Sequence, residues 1–111
     1  MVARSLLSIS GTTTDGKQVC CGIFRFYETF GLPFDVIFDS LTKHNSLPDW
    51  IDLYITARDS GMSHRSITSK LADPVSDVYG SEFSTVVLER LEKFKLCYDL
   101  DKTKDIDKHA D

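Results

Sequence analysis

An apolar stripe at helical spacing is the feature that most restricts how this chain can fold. Four residues of one segment recur at i, i+3, i+4 and i+7: Phe34, Ile37, Phe38 and Leu41. This spacing lies along one face of an α-helix. Gly31 is suited to end a preceding helix, and Pro33 suits the first position of the next one. We therefore predict a helix that ends at Gly31 and an amphipathic helix that follows it.

Capping residues indicate where the next helices begin and end. Ser46, followed by Pro48 and Asp49, resembles a capping box and predicts a third helix running to about Asp59. Ser60-Gly61-Met62 then predicts a tight turn. A fourth helix is expected to end before Pro74, because the residue before a proline disfavours helical geometry.

The final helix is predicted to start at Ser81 as its cap. One of its faces carries four apolar residues at helical spacing: Phe83, Val87, Leu91 and Phe94. From residue 99 onward the chain consists largely of Asp and Lys and has little apolar content. We expect residues 1–98 to form one helical domain and residues 99–111 to form a disordered charged tail.

The N-terminal segment supports two interpretations, and the sequence leaves open whether residues 5–24 form a hairpin or enter a helix. Val19, Ile23, Tyr27 and Phe30 recur at helical spacing, which favours a helix from about Gly16 to Thr29. The Asp15-Gly16 pair is typical of a hairpin turn. The predicted fold is therefore all-α, a compact bundle of about five helices, with a short N-terminal strand pair as the open variant.

Composition excludes several classes of function. Nothing in the 111 residues reaches the length and apolar content of a membrane span, and the three cysteines lack a metal-ligand spacing. The histidines His44, His64 and His109 are too scattered to suggest a metal triad. We expect a cytoplasmic protein with reduced cysteines, no cofactor, no metal and no enzymatic activity.

Residues 51–71 resemble the helix-turn-helix superfamily. Ala57 is small enough for a helix crossing, Gly61 suits the left-handed geometry of the turn, and the apolar Met62 follows it. Ser63 supplies a capping hydroxyl, while Ile67 and Leu71, four residues apart, would pin the second helix to the first. The resemblance covers about a fifth of the chain.

The resemblance implies a DNA-reading surface on the second helix of the motif. Its candidate nucleic-acid-binding residues are polar or basic: Ser63, His64, Arg65, Ser66, Thr68, Ser69 and Lys70. Such side chains reach phosphates and base edges in a major groove. Residues 60–72 contain two basic residues and no acid, whereas residues 28–59 contain six acids and two bases, a net charge of −4. The net charge of the whole chain, also −4, works against default affinity for nucleic acid.

A dense group of aromatic residues suggests instead that the protein binds a second copy or another protein. Six of them are candidate interface residues: Phe24, Phe26, Tyr27, Phe30, Trp50 and Tyr54. An apolar patch wider than one helix face must be covered, by the protein's own core or by a second copy. The first functional hypothesis is thus a non-enzymatic helical protein-interaction module that forms a homodimer. The sequence does not indicate which other protein it binds. The second is a small helix-turn-helix regulator that reads DNA with residues 63–71.

Overall fold

The computed structural model describes the backbone of residues 8–110 and the side chains of residues 9–100. Within that range, the elements in chain order are β1 (Ser8–Thr12), β2 (Gln18–Cys21), α1 (Ile23–Phe30), α2 (Phe34–Lys43), β3 (Ser46–Pro48), α3 (Trp50–Asp59), α4 (His64–Tyr79) and α5 (Ser81–Ala110). The prediction of about five helices is confirmed. The chain is mostly helical, as predicted, but it is not purely all-α, because three strands form a sheet in the order β1-β2-β3. The short N-terminal strand pair that the sequence left open is present as β1 and β2.

The N-terminal segment is a hairpin, so the helix predicted from about Gly16 to Thr29 is wrong in its first half. β1 and β2 pair antiparallel, with Ile9 opposite Cys20. The connecting turn is closed by the Thr13 N–H, which donates to the Lys17 carbonyl at 2.8 Å. Gly16 has φ +89° in this turn, a conformation that glycine adopts without steric cost.

Tertiary contacts explain why residues 18–21 are a strand despite their helical periodicity. Cys20 is buried, whereas its chain neighbours Val19 and Cys21, which point to the opposite face, are only half-buried, as expected of a strand with one face on the core. β2 also has neighbours on both edges, β1 on one side and β3 on the other. Gly22, with φ +88°, separates the strand from α1. α1 then ends where it was predicted to, since Gly31 adopts φ +65° and donates its N–H to the Tyr27 carbonyl at 2.9 Å.

Residues 46–48 form a strand and do not open the third helix, which corrects the capping-box prediction. β3 pairs parallel with β2, with Leu47 opposite Val19. The third helix starts at Trp50, and its cap is Asp49, whose Oδ1 accepts from the Asp52 N–H at 3.0 Å. The Asp49 N–H is itself bonded to the Cys20 carbonyl at 2.7 Å, so the sheet fixes the start of α3.

Helix α4 continues through Pro74 to Tyr79, so the predicted end before the proline is wrong. A proline inside a helix loses one backbone hydrogen bond and crowds the carbonyl four residues earlier. The residues on either side of it, Leu71 and Val75, are nearly fully buried. Their burial continues the apolar face of α4 past Pro74 and outweighs the local penalty.

One contiguous cluster of buried side chains lies between the helices and under β2. Aromatic rings run through it in contact: Tyr27 stacks on Phe34 with centroids 4.1 Å apart, and Phe38 meets Trp50 edge-on at 5.4 Å. On α5, Val87 and Leu91 are buried and Phe83 and Phe94 pack against the cluster, which confirms the predicted apolar face.

Helix α5 differs from expectation at both ends. Ser81 lies inside the helix, since the Gly80 carbonyl already accepts from the Ser84 N–H at 3.0 Å. The predicted tail begins within this helix, since the backbone is helical to Ala110 and Asp99 pairs with Arg58 at 2.9 Å. Disorder of residues 99–111 stays a prediction, because the side chains from residue 101 and residue 111 itself lie outside the described range.

Candidate nucleic-acid interface

The turn between α3 and α4 has the backbone pattern of a Schellman motif. The Met62 N–H donates to the Ala57 carbonyl at 3.1 Å, and the Gly61 N–H donates to the Arg58 carbonyl at 3.0 Å. Gly61 adopts φ +110°, as the motif requires. Ser63 then caps α4, its Oγ accepting from the Ser66 N–H at 3.1 Å. The predicted tight turn and the predicted Ser63 cap are both confirmed.

The two helices meet at the residues expected of this motif. Ala57, Ile67 and Leu71 are each at most 2% exposed, and Met62 packs against the same core. The space left beside them, next to Lys70, has a volume of only about 10 Å³. A space of that size holds at most one water molecule, so the crossing is tightly packed and offers no chamber for a ligand.

Five of the seven predicted nucleic-acid-binding residues line one shallow concavity on the outer side of α4. They are Ser63, Arg65, Ser66, Ser69 and Lys70, here called the α4 surface. Ser66 is half-buried and the other four are exposed. The α4 surface therefore presents two cationic groups and three hydroxyls, with no carboxylate among its lining residues.

Thr68 does not reach outward as predicted. Its hydroxyl lies within hydrogen-bond distance of two backbone carbonyls of its own helix, those of His64 at 3.1 Å and Arg65 at 3.2 Å. Hydroxyl groups in helices often bond back to the preceding turn in this way. Thr68 is accordingly not part of the α4 surface.

His64 also departs from the prediction, because its ring points into the protein. Its side chain is 14% exposed, and Nδ1 lies 2.9 Å from the hydroxyl of Tyr54, a fully buried residue of α3. Its other ring nitrogen, Nε2, lies 2.7 Å from a carboxylate oxygen of Glu92 in α5. His64 thus connects three helices and is not available to touch a base edge.

Arg58 extends these contacts into a larger group that the sequence did not predict. Its guanidinium donates to the Tyr54 hydroxyl at 2.8 Å and to Asp99 at 2.9 Å. Partial burial alone would lower the pKa of Arg58, but these hydrogen bonds outweigh it and the net pKa shift is upward. The i, i+4 spacing of Tyr54 and Arg58 is the one local signal for this contact, while Glu92 and Asp99 come from a helix distant in sequence. We call Tyr54, Arg58, His64, Glu92 and Asp99 the His64 network.

The nearby acids are placed so that most of them do not face the α4 surface. Asp49 and Asp52 bond to the N-terminal hairpin region, through Ser10 at 3.0 Å and the Gly22 N–H at 2.9 Å. Asp59 accepts from the Tyr98 hydroxyl at 2.6 Å. Asp73 and Asp77, both exposed, continue the row one and two helical turns beyond Ser69, so the positive part of α4 is confined to its first two turns.

The predicted interface aromatics divide between core and surface. Phe24, Trp50 and Tyr54 are buried in the protein's own core. Phe26 and Tyr27 are half-buried, and Phe30 is 42% exposed. Phe26 and Phe30 contact each other with ring centroids 4.9 Å apart. A surface for another protein would therefore use the end of α1 and not the Trp50–Tyr54 pair.

Among the described residues, no group of three metal-ligating side chains comes together. Nor does any described helix combine the length and apolar content needed to cross a membrane. Of the three cysteines, Cys20 is buried, Cys21 half-buried and Cys97 exposed.

Neither a family model, nor a curated protein, nor a solved structure matches this chain.

Proposed function

We propose that the protein binds duplex nucleic acid through the first two turns of α4. The observation that carries this proposal is the α4 surface itself: Arg65 and Lys70 stand with three serine hydroxyls around one concavity that no carboxylate lines. Cationic and hydroxyl groups are the donors that most often bind phosphate oxygens. The stretch from residue 60 to residue 72, which includes this surface, carries these two basic residues and no acid.

A duplex fits this surface better than a small anion for two reasons. The concavity is wide and shallow, so it suits a large convex ligand and gives a small molecule few walls. In addition, α4 packs tightly across the preceding helix α3, and a second helix packed in this way is the element that helix-turn-helix proteins insert into the major groove. The net charge of −4 and the neighbouring Asp73 oppose further phosphate contacts, so the affinity for a duplex will depend mainly on Arg65 and Lys70.

The test is binding of a fluorescently labelled mixed-sequence duplex, measured by anisotropy across a salt series. We expect association that weakens with salt, and a loss of about tenfold or more for Arg65→Ala with Lys70→Ala. The slope of the logarithm of affinity against the logarithm of salt should fall by about one for each phosphate contact removed.

The matched control is Arg90→Ala with Lys93→Ala, which removes the same charge from exposed positions of α5. It should change affinity by much less than the α4 pair. An equal loss in both double variants would mean that bulk charge causes the binding, and absence of salt-dependent binding by the wild type would refute the proposal.

A homodimeric protein-interaction module is the second candidate function. The observation in its favour is Phe30, an exposed aromatic residue that rests on the half-buried Phe26 at the end of α1. Sedimentation equilibrium of Phe30→Glu tests this candidate. The control is Leu96→Glu, which changes an exposed apolar residue of α5. A dimer lost in the first variant and kept in the second supports this candidate. A wild type that stays monomeric at high micromolar concentration would exclude it.

A further inference from the structure

The first turn of α4 is attached to the rest of the protein by the buried Ile67 and by a second side chain, His64, which makes two polar contacts. His64 is the first residue of α4 and directly precedes Arg65 of the α4 surface. Its Nδ1 contacts the Tyr54 hydroxyl of α3 and its Nε2 contacts Glu92 of α5. Ile67 provides apolar contact without a fixed direction, whereas the two hydrogen bonds of His64 are directional and fix the start of α4 relative to the other two helices.

The proton positions in the His64 network follow from its donors and acceptors. Arg58 has only donors, so the Tyr54 oxygen accepts from it at 2.8 Å and its own hydroxyl proton is free to be donated elsewhere. The atom in reach is Nδ1 of His64, which then carries no proton. Nε2 carries the ring proton and donates it to the Glu92 carboxylate. With this tautomer the Tyr54 hydroxyl and both ring nitrogens of His64 each have a hydrogen-bond partner.

The burial of Tyr54 makes these contacts directional. Tyr54 is fully buried, with its ring edge-on to those of His64 and Phe94, at centroid distances of 5.8 Å in both cases. A hydroxyl fixed in this way has one orientation, and a buried hydroxyl left without a partner is costly. The ring of His64 is therefore held at a defined place.

We infer that Tyr54 and His64 are positioning residues of the α4 surface: the bond between them sets the orientation of the first turn of α4, and with it that of Arg65 and Ser66. His64 acts in this arrangement without touching the ligand. The inference rests on the proposed function only for its effect on nucleic-acid affinity, since the positioning of α4 can be measured in the free protein.

The first experiment examines the imidazole of His64 by long-range ¹H–¹⁵N correlation spectroscopy at pH 8. The expected pattern is an unprotonated Nδ1 and a protonated Nε2. In Tyr54→Phe the ¹⁵N shift of Nδ1 should change, whereas Tyr27→Phe, which removes a hydroxyl from α1, should leave it in place. The opposite tautomer in the wild type would overturn the inference.

The second experiment is amide hydrogen exchange in the same two variants. The Ile67 amide, bonded to the Ser63 carbonyl at 3.0 Å, reports on the first turn, and Val75 reports on the later part of α4. In Tyr54→Phe we expect exchange at Val75 to follow the overall loss of stability, and exchange at Ile67 to accelerate by a further factor of about three to ten, the range of one net hydrogen bond. Equal acceleration at both sites means that only the overall stability has fallen and contradicts a positioning role, as does no change at Ile67.

The third experiment measures duplex affinity of Tyr54→Phe in the salt series described above. Affinity should fall about three- to tenfold while the salt slope stays that of the wild type, because no phosphate-binding group is removed. A reduced slope would overturn the inference. If the wild type does not bind a duplex, the proposed function fails, and the spectroscopic and exchange results still decide whether Tyr54 and His64 position α4.

Discussion

The hydroxyl of Tyr54 and Nδ1 of His64 lie 2.9 Å apart across the turn that joins α3 to α4. The two residues are ten positions apart in sequence and belong to different helices. Their contact takes His64 off the outer face of α4, so that the candidate surface consists of Ser63, Arg65, Ser66, Ser69 and Lys70. His64, predicted from the sequence to bind nucleic acid, thus helps to attach α4 to α3.

Two tyrosine hydroxyls are predicted to contribute to stability with opposite sign. The Tyr79 hydroxyl is buried and has no hydrogen-bond partner in the described structure, whereas that of Tyr54 has two. Tyr79→Phe should therefore keep or raise the free energy of unfolding, by up to about 1 kcal/mol, and Tyr54→Phe should lower it by about 1–3 kcal/mol. Urea denaturation measures both, and a loss in Tyr79→Phe comparable to that in Tyr54→Phe would contradict the assignment.

Gly61→Ala is predicted to destabilise the protein through the backbone alone. No atom lies within 4 Å of the position a Cβ would take at Gly61, so the cost comes from φ +110°, about 1–2 kcal/mol. Gly11→Ala is the control, because its surroundings are equally open and it has no left-handed φ. Thermal unfolding should separate the two variants, and equal melting temperatures would mean that the turn tolerates an ordinary residue.

Pro74→Ala is expected to stabilise the protein. The substitution restores a backbone donor inside α4 and removes the clash of the proline ring with the preceding turn, which together contribute about 1–3 kcal/mol. Pro33→Ala serves as the comparison, since Pro33 precedes α2 with a φ of −61° that suits proline. The expected result is a higher urea midpoint for the first variant only; a lower midpoint for Pro74→Ala would show that α4 requires a distortion at that residue.

The contact between α3 and α5 is predicted to weaken in acid. Hydrogen bonds from Lys95 first, and from Arg58, lower the pKa of Asp99 below its ordinary value. Because the folded-state pKa is below the unfolded one, the stabilisation is complete above about pH 4 and is lost as the pH falls through the folded value. NMR titration of the Asp99 carboxyl measures this pKa, and Lys95→Met should raise it. A carboxyl that titrates equally in both proteins would rule out the Lys95 contact.

The helices that the sequence predicts well are those whose signals are local. The stripe from Phe34 to Leu41, the glycine at position 31 and the Gly61–Ser63 turn are each determined by residues within a few positions of one another. A left-handed glycine or a capping serine acts on the backbone beside it, so its effect does not depend on the rest of the fold. The same holds for the apolar face of α5 from Phe83 to Phe94.

The elements that the sequence left open or placed wrongly are those whose partners are distant along the chain. Residues 18–21 have helical periodicity, yet pairing with β1 and β3 makes them a strand, and the same pairing removes residues 46–48 from α3. At Pro74, burial of Leu71 and Val75 on both sides decides that α4 continues. In each case the free energy of tertiary burial or strand pairing exceeds a local preference of a few kcal/mol.

The candidate site divides along the same line. The sequence by itself determined that residues 60–72 are basic and polar, and that α4 starts at a serine cap after a glycine turn. Only the tertiary structure decided which of those side chains face outward, because the orientation of a helix about its axis is set by what it packs against. Packing of α4 against α3 and α5 turned His64 inward to Tyr54 and Glu92, and left Arg65, Ser69 and Lys70 exposed.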